Sequence, residues 1–172
     1  MKKLKNKKGF TLVEMLACVV TLILIGLICS GGMRLAMNSL RASTFDSNSR
    51  TVEAALDIYI SDLLRHASDV NNGPEGVTFT NQAYYIKNGT LKIDTTGSKV
   101  ADAGYLVCTG GSSVPERMLA NKGIYTDNLY IKDFTLSYEE ATGIFTGGYK
   151  IVSSVTDSVR DCSFSYRMIE ER

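Results

Sequence analysis

The sequence predicts an α+β fold: a long N-terminal α-helix, one half fit for a membrane and the other amphipathic, packed on an antiparallel β-sheet head. Three observations predict it. A largely apolar run from Phe10 to Cys29 follows a lysine-rich start. Apolar residues then recur at spacings of three or four as far as Val70. Beyond that, residues 71–172 alternate strand-like runs with turn formers and hold eight of the nine tyrosines, as half-buried sheet surfaces do. The 172 residues allow roughly one domain with an appendage. They divide into a leader (1–9), a membrane helix (10–30), its amphipathic continuation (31–70) and a β-rich head (71–172).

The net charge of +1 hides an uneven distribution. Lys2, Lys3, Lys5, Lys7 and Lys8 supply five of the 19 basic residues, which leaves 14 against 18 acidic ones, or −4, for the rest. A basic head on a mildly acidic body argues against a broad nucleic-acid surface and for a membrane topology signal. The apolar run that follows has about the length needed to cross a hydrocarbon core of ~30 Å.

Three kinds of processing compete here. A secretory signal would be cut near Cys29-Ser30-Gly31, and a lipoprotein signal would need a cysteine later in the run than Cys18. The third is a cut between Gly9 and Phe10, which keeps the apolar segment on the mature chain. Only the third gives Glu14 a purpose. A carboxylate in a bilayer helix costs at least ~2.5 kcal/mol and needs a partner. A new α-amine on Phe10 would lie one helical turn away, in the same chain or in a neighbour packed with an axial offset.

Gly26, Gly31 and Gly32 interrupt the apolar helix. Adjacent glycines each cost about 1 kcal/mol against alanine in a helix, so this segment either bends or melts, or Gly31 and Gly32 end the membrane helix. Periodicity resumes with Met33, Met37 and Leu40, then with Val52, Leu56, Tyr59, Leu63, Ala67 and Val70. A helix from Phe10 to Val70 would be roughly 90 Å long. Asn71-Asn72-Gly73-Pro74-Glu75-Gly76 stops it.

In the second half, Asn88-Gly89 predicts a tight hairpin between two strand-like runs. Further strands are expected at 104–108, 123–131, 132–138, 144–152 and 158–168. Chemistry is scarce. The single histidine, His66, has no evident nucleophile or base beside it and reads as a packing or surface residue, so no enzyme activity and no cofactor are expected. The Gly-Gly pairs at 110–111 and 147–148 lack a P-loop lysine and read as loops or bulges. Asn88-Gly89-Thr90 fits a glycosylation sequon, which the expected turn already explains.

The stretch Lys8-Gly9-Phe10-Thr11-Leu12-Val13-Glu14-Met15-Leu16, behind its short lysine-rich leader, resembles the N-terminus of type IV prepilins and of the related secretion and competence pseudopilins. The motif is specific and covers residues 1 to about 30; beyond it only the architecture is similar. The resemblance implies that Gly9 precedes the prepilin peptidase cut and that Phe10 becomes the N-methylated first residue. Glu14 would be the acid used in methylation and subunit registration. It also implies a single-pass protein of the cytoplasmic membrane with its head exported, which then enters a filament. Its partners would be other pilin-like subunits, the peptidase, a platform protein and a motor. Many major pilins have a proline after the membrane run where this chain has glycines, which favours a minor pilin or pseudopilin. Some pseudopilins hold calcium, but Asp94, Asp102, Asp157 and Asp161 form no spaced ligand motif, and no metal is expected. Many pilins also staple their C-terminal region, which would pair Cys108 with Cys162; two buried free thiols are the alternative. The competing reading of the whole chain is a secreted or membrane-tethered β-rich binding domain.

Overall fold

The computed structural model describes residues 11–74, 76–110, 114–125 and 128–169. It contains a helix α1 (Leu12–Arg65) followed by eight strands. The chain divides into two units, Met1–Ala42 and Ser43–Arg172, and α1 runs through the boundary.

In the first unit, α1 is helical through Gly26, Gly31 and Gly32, so the adjacent glycines do not end it. Every side chain from Thr11 to Ala42 is exposed, including Leu12, Leu16, Leu22 and Ile28. The helix carries a segment with a mean hydropathy of 2.7, long and apolar enough to cross a membrane once.

In the second unit, the stripe Val52, Leu56, Ile60, Leu63 and Leu64 is buried against the sheet. Tyr59, expected on this stripe, is 44% exposed, and Ile60 takes its place. The helix stops at Arg65 rather than near Val70 because its last carbonyls already have partners. The Asn81 amide donates to the Leu63 oxygen at 2.8 Å, and the Ala67 N–H to that of Leu64 at 3.3 Å. The Ile169 N–H donates to that of Arg65 at 2.8 Å. Ala67 and Val70 still reach the core, but from the turn and the strand that follow.

The strands are β1 (Ser68–Gly73), β2 (Gly76–Asn81), β3 (Ile86–Asp94), β4 (Ala103–Gly110), β5 (Val114–Met118), β6 (Leu129–Glu139), β7 (Ile144–Ser153) and β8 (Val159–Arg167). All pair antiparallel, in the order β1-β2-β3-β4-β6-β7-β8, with β5 paired to β4. The glycine and proline expected to break the helix instead join β1 to β2, with Gly73 opposite Gly76. Asn88-Gly89 is no hairpin turn either: β3 runs through it, and the β2–β3 turn lies at 82–85. Phe79 pairs with Gly89 and Asn81 with Ile86, which leaves one extra residue on β3. Asn88 takes φ 49° in this bulge. A Cβ on Gly89 would collide with the Ile86 side chain and lie 2.7 Å from the Thr109 carbonyl. Both residues are explained, since a bulge and a tight turn ask for the same backbone freedom.

The runs expected as strands at 123–131 and 132–138 contribute one strand, β6, preceded by a single 3-10 turn at Lys122–Ile124. A bulge at Asp133, φ 54°, bends β6 between Lys132 and Thr135. The core places Val52, Leu56, Ile60 and Leu64 in one cluster with Phe79, Leu106, Ile131, Phe145 and Ile151. Gly147 is required on β7 beside it, because a Cβ there would collide with the Thr135 carbonyl and come within 2.6 Å of the Phe164 ring.

Candidate functional site

The sequence places its strongest functional signal at the start of α1. Gly9 and Phe10 lie outside the described residues, whereas Thr11 and Glu14 form a reciprocal cap. Glu14 Oε2 accepts hydrogen bonds from the Thr11 N–H and from the Thr11 hydroxyl, each at 2.9 Å. The Glu14 N–H donates to Thr11 Oγ1 at 3.3 Å, and the Met15 N–H closes the first helical turn on the Thr11 carbonyl at 3.2 Å. This is a capping box, and it satisfies donors at the helix start. The partner expected for Glu14 from the sequence is the Phe10 α-amine and not Thr11, although Thr-x-x-Glu before an apolar run is the sequence form of that motif. It places the Glu14 carboxylate at the exposed head of an uncovered apolar helix.

Gly26, Gly31 and Gly32 meet open space: a Cβ on any of them would find no neighbour within 4 Å. Cys18 and Cys29 are exposed on the same helix. Cys108 and Cys162 are buried thiols and form no disulfide. They sit on β4 and β8 with β6 and β7 between them, so the pairing order holds them apart by three strand spacings of about 4.8 Å each. His66 lies in the turn just after α1, half exposed, with Nδ1 3.0 Å from the Asp62 carbonyl one helical turn back. Among the described residues, no three histidine, cysteine, aspartate or glutamate side chains gather as a metal site.

The head contributes a feature with no local sequence signal. Arg160 on β8 bridges two acids of α1, with Nε 2.7 Å from Glu53 Oε2 and Nη1 3.1 Å from Asp46 Oδ1. Its bond to Glu53 raises its pKa further above the ordinary value. Next to it, Tyr166 donates to Asp57, and on the other side of the helix Tyr84 donates to Asp62. The Arg160–Glu53 and Tyr166–Asp57 contacts border a cleft lined by Arg50, Glu53, Ala54 and Asp57 from α1 and by Tyr149, Phe164 and Tyr166 from the sheet. Burial first, then the Glu53 carboxylate, pushes the Cys162 thiol on its wall up to about 11. Burial also raises the Tyr149 and Tyr166 hydroxyls, and the Asp57 carboxylate adds to the shift of both. The cleft therefore sets two carboxylates, Glu53 and Asp57, and the Arg50 side chain against aromatic rings.

Comparison with known protein families, with curated proteins and with solved structures returns no match.

Proposed function

We propose that this chain is a type IV pilin-like filament subunit, a minor pilin or pseudopilin rather than a principal subunit. It is cut by a prepilin peptidase between Gly9 and Phe10, N-methylated on Phe10, and assembled through its N-terminal helix. The observation that carries this reading is the Thr11–Glu14 pair at the head of an exposed apolar helix, within the stretch that resembles a prepilin cleavage motif. An uncovered run of this hydropathy needs lipid or other helices around it, and a carboxylate at its start favours a partner amine. Membrane first and neighbouring subunits later would meet both demands. The glycines in place of a proline support the minor role.

The test is N-terminal peptide mass spectrometry on protein recovered from membrane and surface fractions. A mature chain beginning with methylated Phe10 is the expected result. Glu14→Ala should still be cut but should enter filaments poorly. A start at Gly32, or a lipid on Cys18, would sink this reading and leave the head as a conventionally exported or tethered binding domain. A head whose core lies wholly within 43–172 suits that alternative as well.

A further inference from the structure

The cleft beside Ala54 combines two carboxylates, Glu53 and Asp57, with the rings of Tyr149, Phe164 and Tyr166 in a volume of about 300 Å³. One Asp57 oxygen is held by Tyr166, and the other has no hydrogen-bond partner among the described residues. Arg50, which also lines the cleft, donates to Asp46 at 3.0 Å, and Arg160 is bound to Asp46 and Glu53, so neither cation is bonded to Asp57. Carboxylate oxygens with flat aromatic walls suit a guanidinium better than an ammonium, because the planar group can accept two-point hydrogen bonding and stack on rings at once.

The chain itself supplies unpaired guanidiniums. Between Leu12 and Ala42 the only charged side chains are Glu14, Arg34 and Arg41. Both arginines are exposed, and neither forms an ion pair or hydrogen bond among the described residues. They are seven residues apart, two helical turns, and so lie on one face.

From this charge complementarity we propose that the cleft receives Arg34 or Arg41 of a second copy of the chain when their helices lie side by side. The inference rests on the filament reading and adds to it the contact by which one subunit's head grips the helix of another.

A photo-crosslinking amino acid placed at position 34 or 41 of the full chain is expected, in sheared filaments, to reach a peptide that contains Asp57 or Tyr149 of another copy. Capture of only lipid, or only a different protein, at both positions would overturn the proposal. A double-mutant cycle reads the same contact. Ala54→Phe fills an exposed point of the cleft, and the Arg34→Ala, Arg41→Ala pair removes the occupants. Each change is expected to lower the filament-borne protein by about tenfold, as for loss of a charged hydrogen bond, with the head's melting temperature unchanged. The combined variant is expected to fall no further. Additive losses would overturn the contact while leaving the filament reading intact. Wild-type protein absent from filaments would overturn both.

Discussion

Thr11 and Glu14 make a capping box in four residues of sequence, whereas the polar contacts that tie the head together are made between residues far apart in the chain. Cys162 illustrates the difference. Its thiol is pushed up to about 11 from an ordinary 9.0 by burial against β7 and α1 and by the Glu53 carboxylate. A rise from 9.0 to about 11 lowers the thiolate fraction at a given pH by about a hundredfold. Alkylation of Cys162 at pH 8 should therefore be about a hundredfold slower in the folded head than in urea, measured by mass spectrometry of the labelled peptide. Labelling at equal rates would show that the thiol is not buried as described. Asp133 gives a prediction against pH. The Lys150 ammonium, 2.8 Å away, holds its carboxyl below the ordinary 3.8. A lowered folded-state value stabilises the head above that pH and loses the contribution as the pH falls through it. Asp133→Asn, which tolerates the same left-handed backbone, should have a slightly lower urea midpoint than wild type at pH 7 and an equal one near pH 2.

At the scale of elements, α1 follows two sets of rules along one continuous helix. From Thr11 to Ala42 no side chain is covered, and as far as Cys29 the pattern is a largely apolar run. From Ser49 onward the apolar residues narrow to a stripe that the sheet buries. Leu56 is wholly buried, so Leu56→Ala should cost the head about 3 kcal/mol in urea unfolding, from lost transfer energy and an unfilled cavity. Ile58, two residues away, is 66% exposed, and Ile58→Ala should change stability by less than ~0.5 kcal/mol. Similar losses in the two variants would mean that the helix is rotated from the orientation described. Asn81 sets the end of the helix: wholly buried, it donates to the Leu63 carbonyl and accepts the Tyr84 N–H at 3.2 Å.

For the whole molecule, the division at Ala42 and Ser43 separates two kinds of stability. The core residues all fall between Val52 and Tyr166, so residues 43–172 hold the contacts that a folded domain needs. That fragment should unfold cooperatively and remain in the soluble fraction, as read by circular dichroism melting and by sedimentation. The full chain should sediment with membranes. A fragment without a cooperative transition would mean that the head depends on residues 1–42.

The α+β class, the apolar N-terminal helix, the amphipathic stripe and four strand regions were legible in the sequence because each is a local pattern: a run, a period of three or four, an alternation. The Thr11–Glu14 cap is equally local, its two members being three residues apart, yet the partner expected for Glu14 from the sequence is the Phe10 α-amine. Only the tertiary structure decided where α1 ends, because its last carbonyls are satisfied by Asn81 and Ile169 from other parts of the chain. It also decided that Asn88-Gly89 is a bulge, since Gly and Asn permit the same backbone in either setting and pairing with Phe79 chooses between them. The separation of Cys108 from Cys162 and the cleft beside Arg160 depend on strand order, and strand order is settled by which apolar faces bury one another best across the whole head.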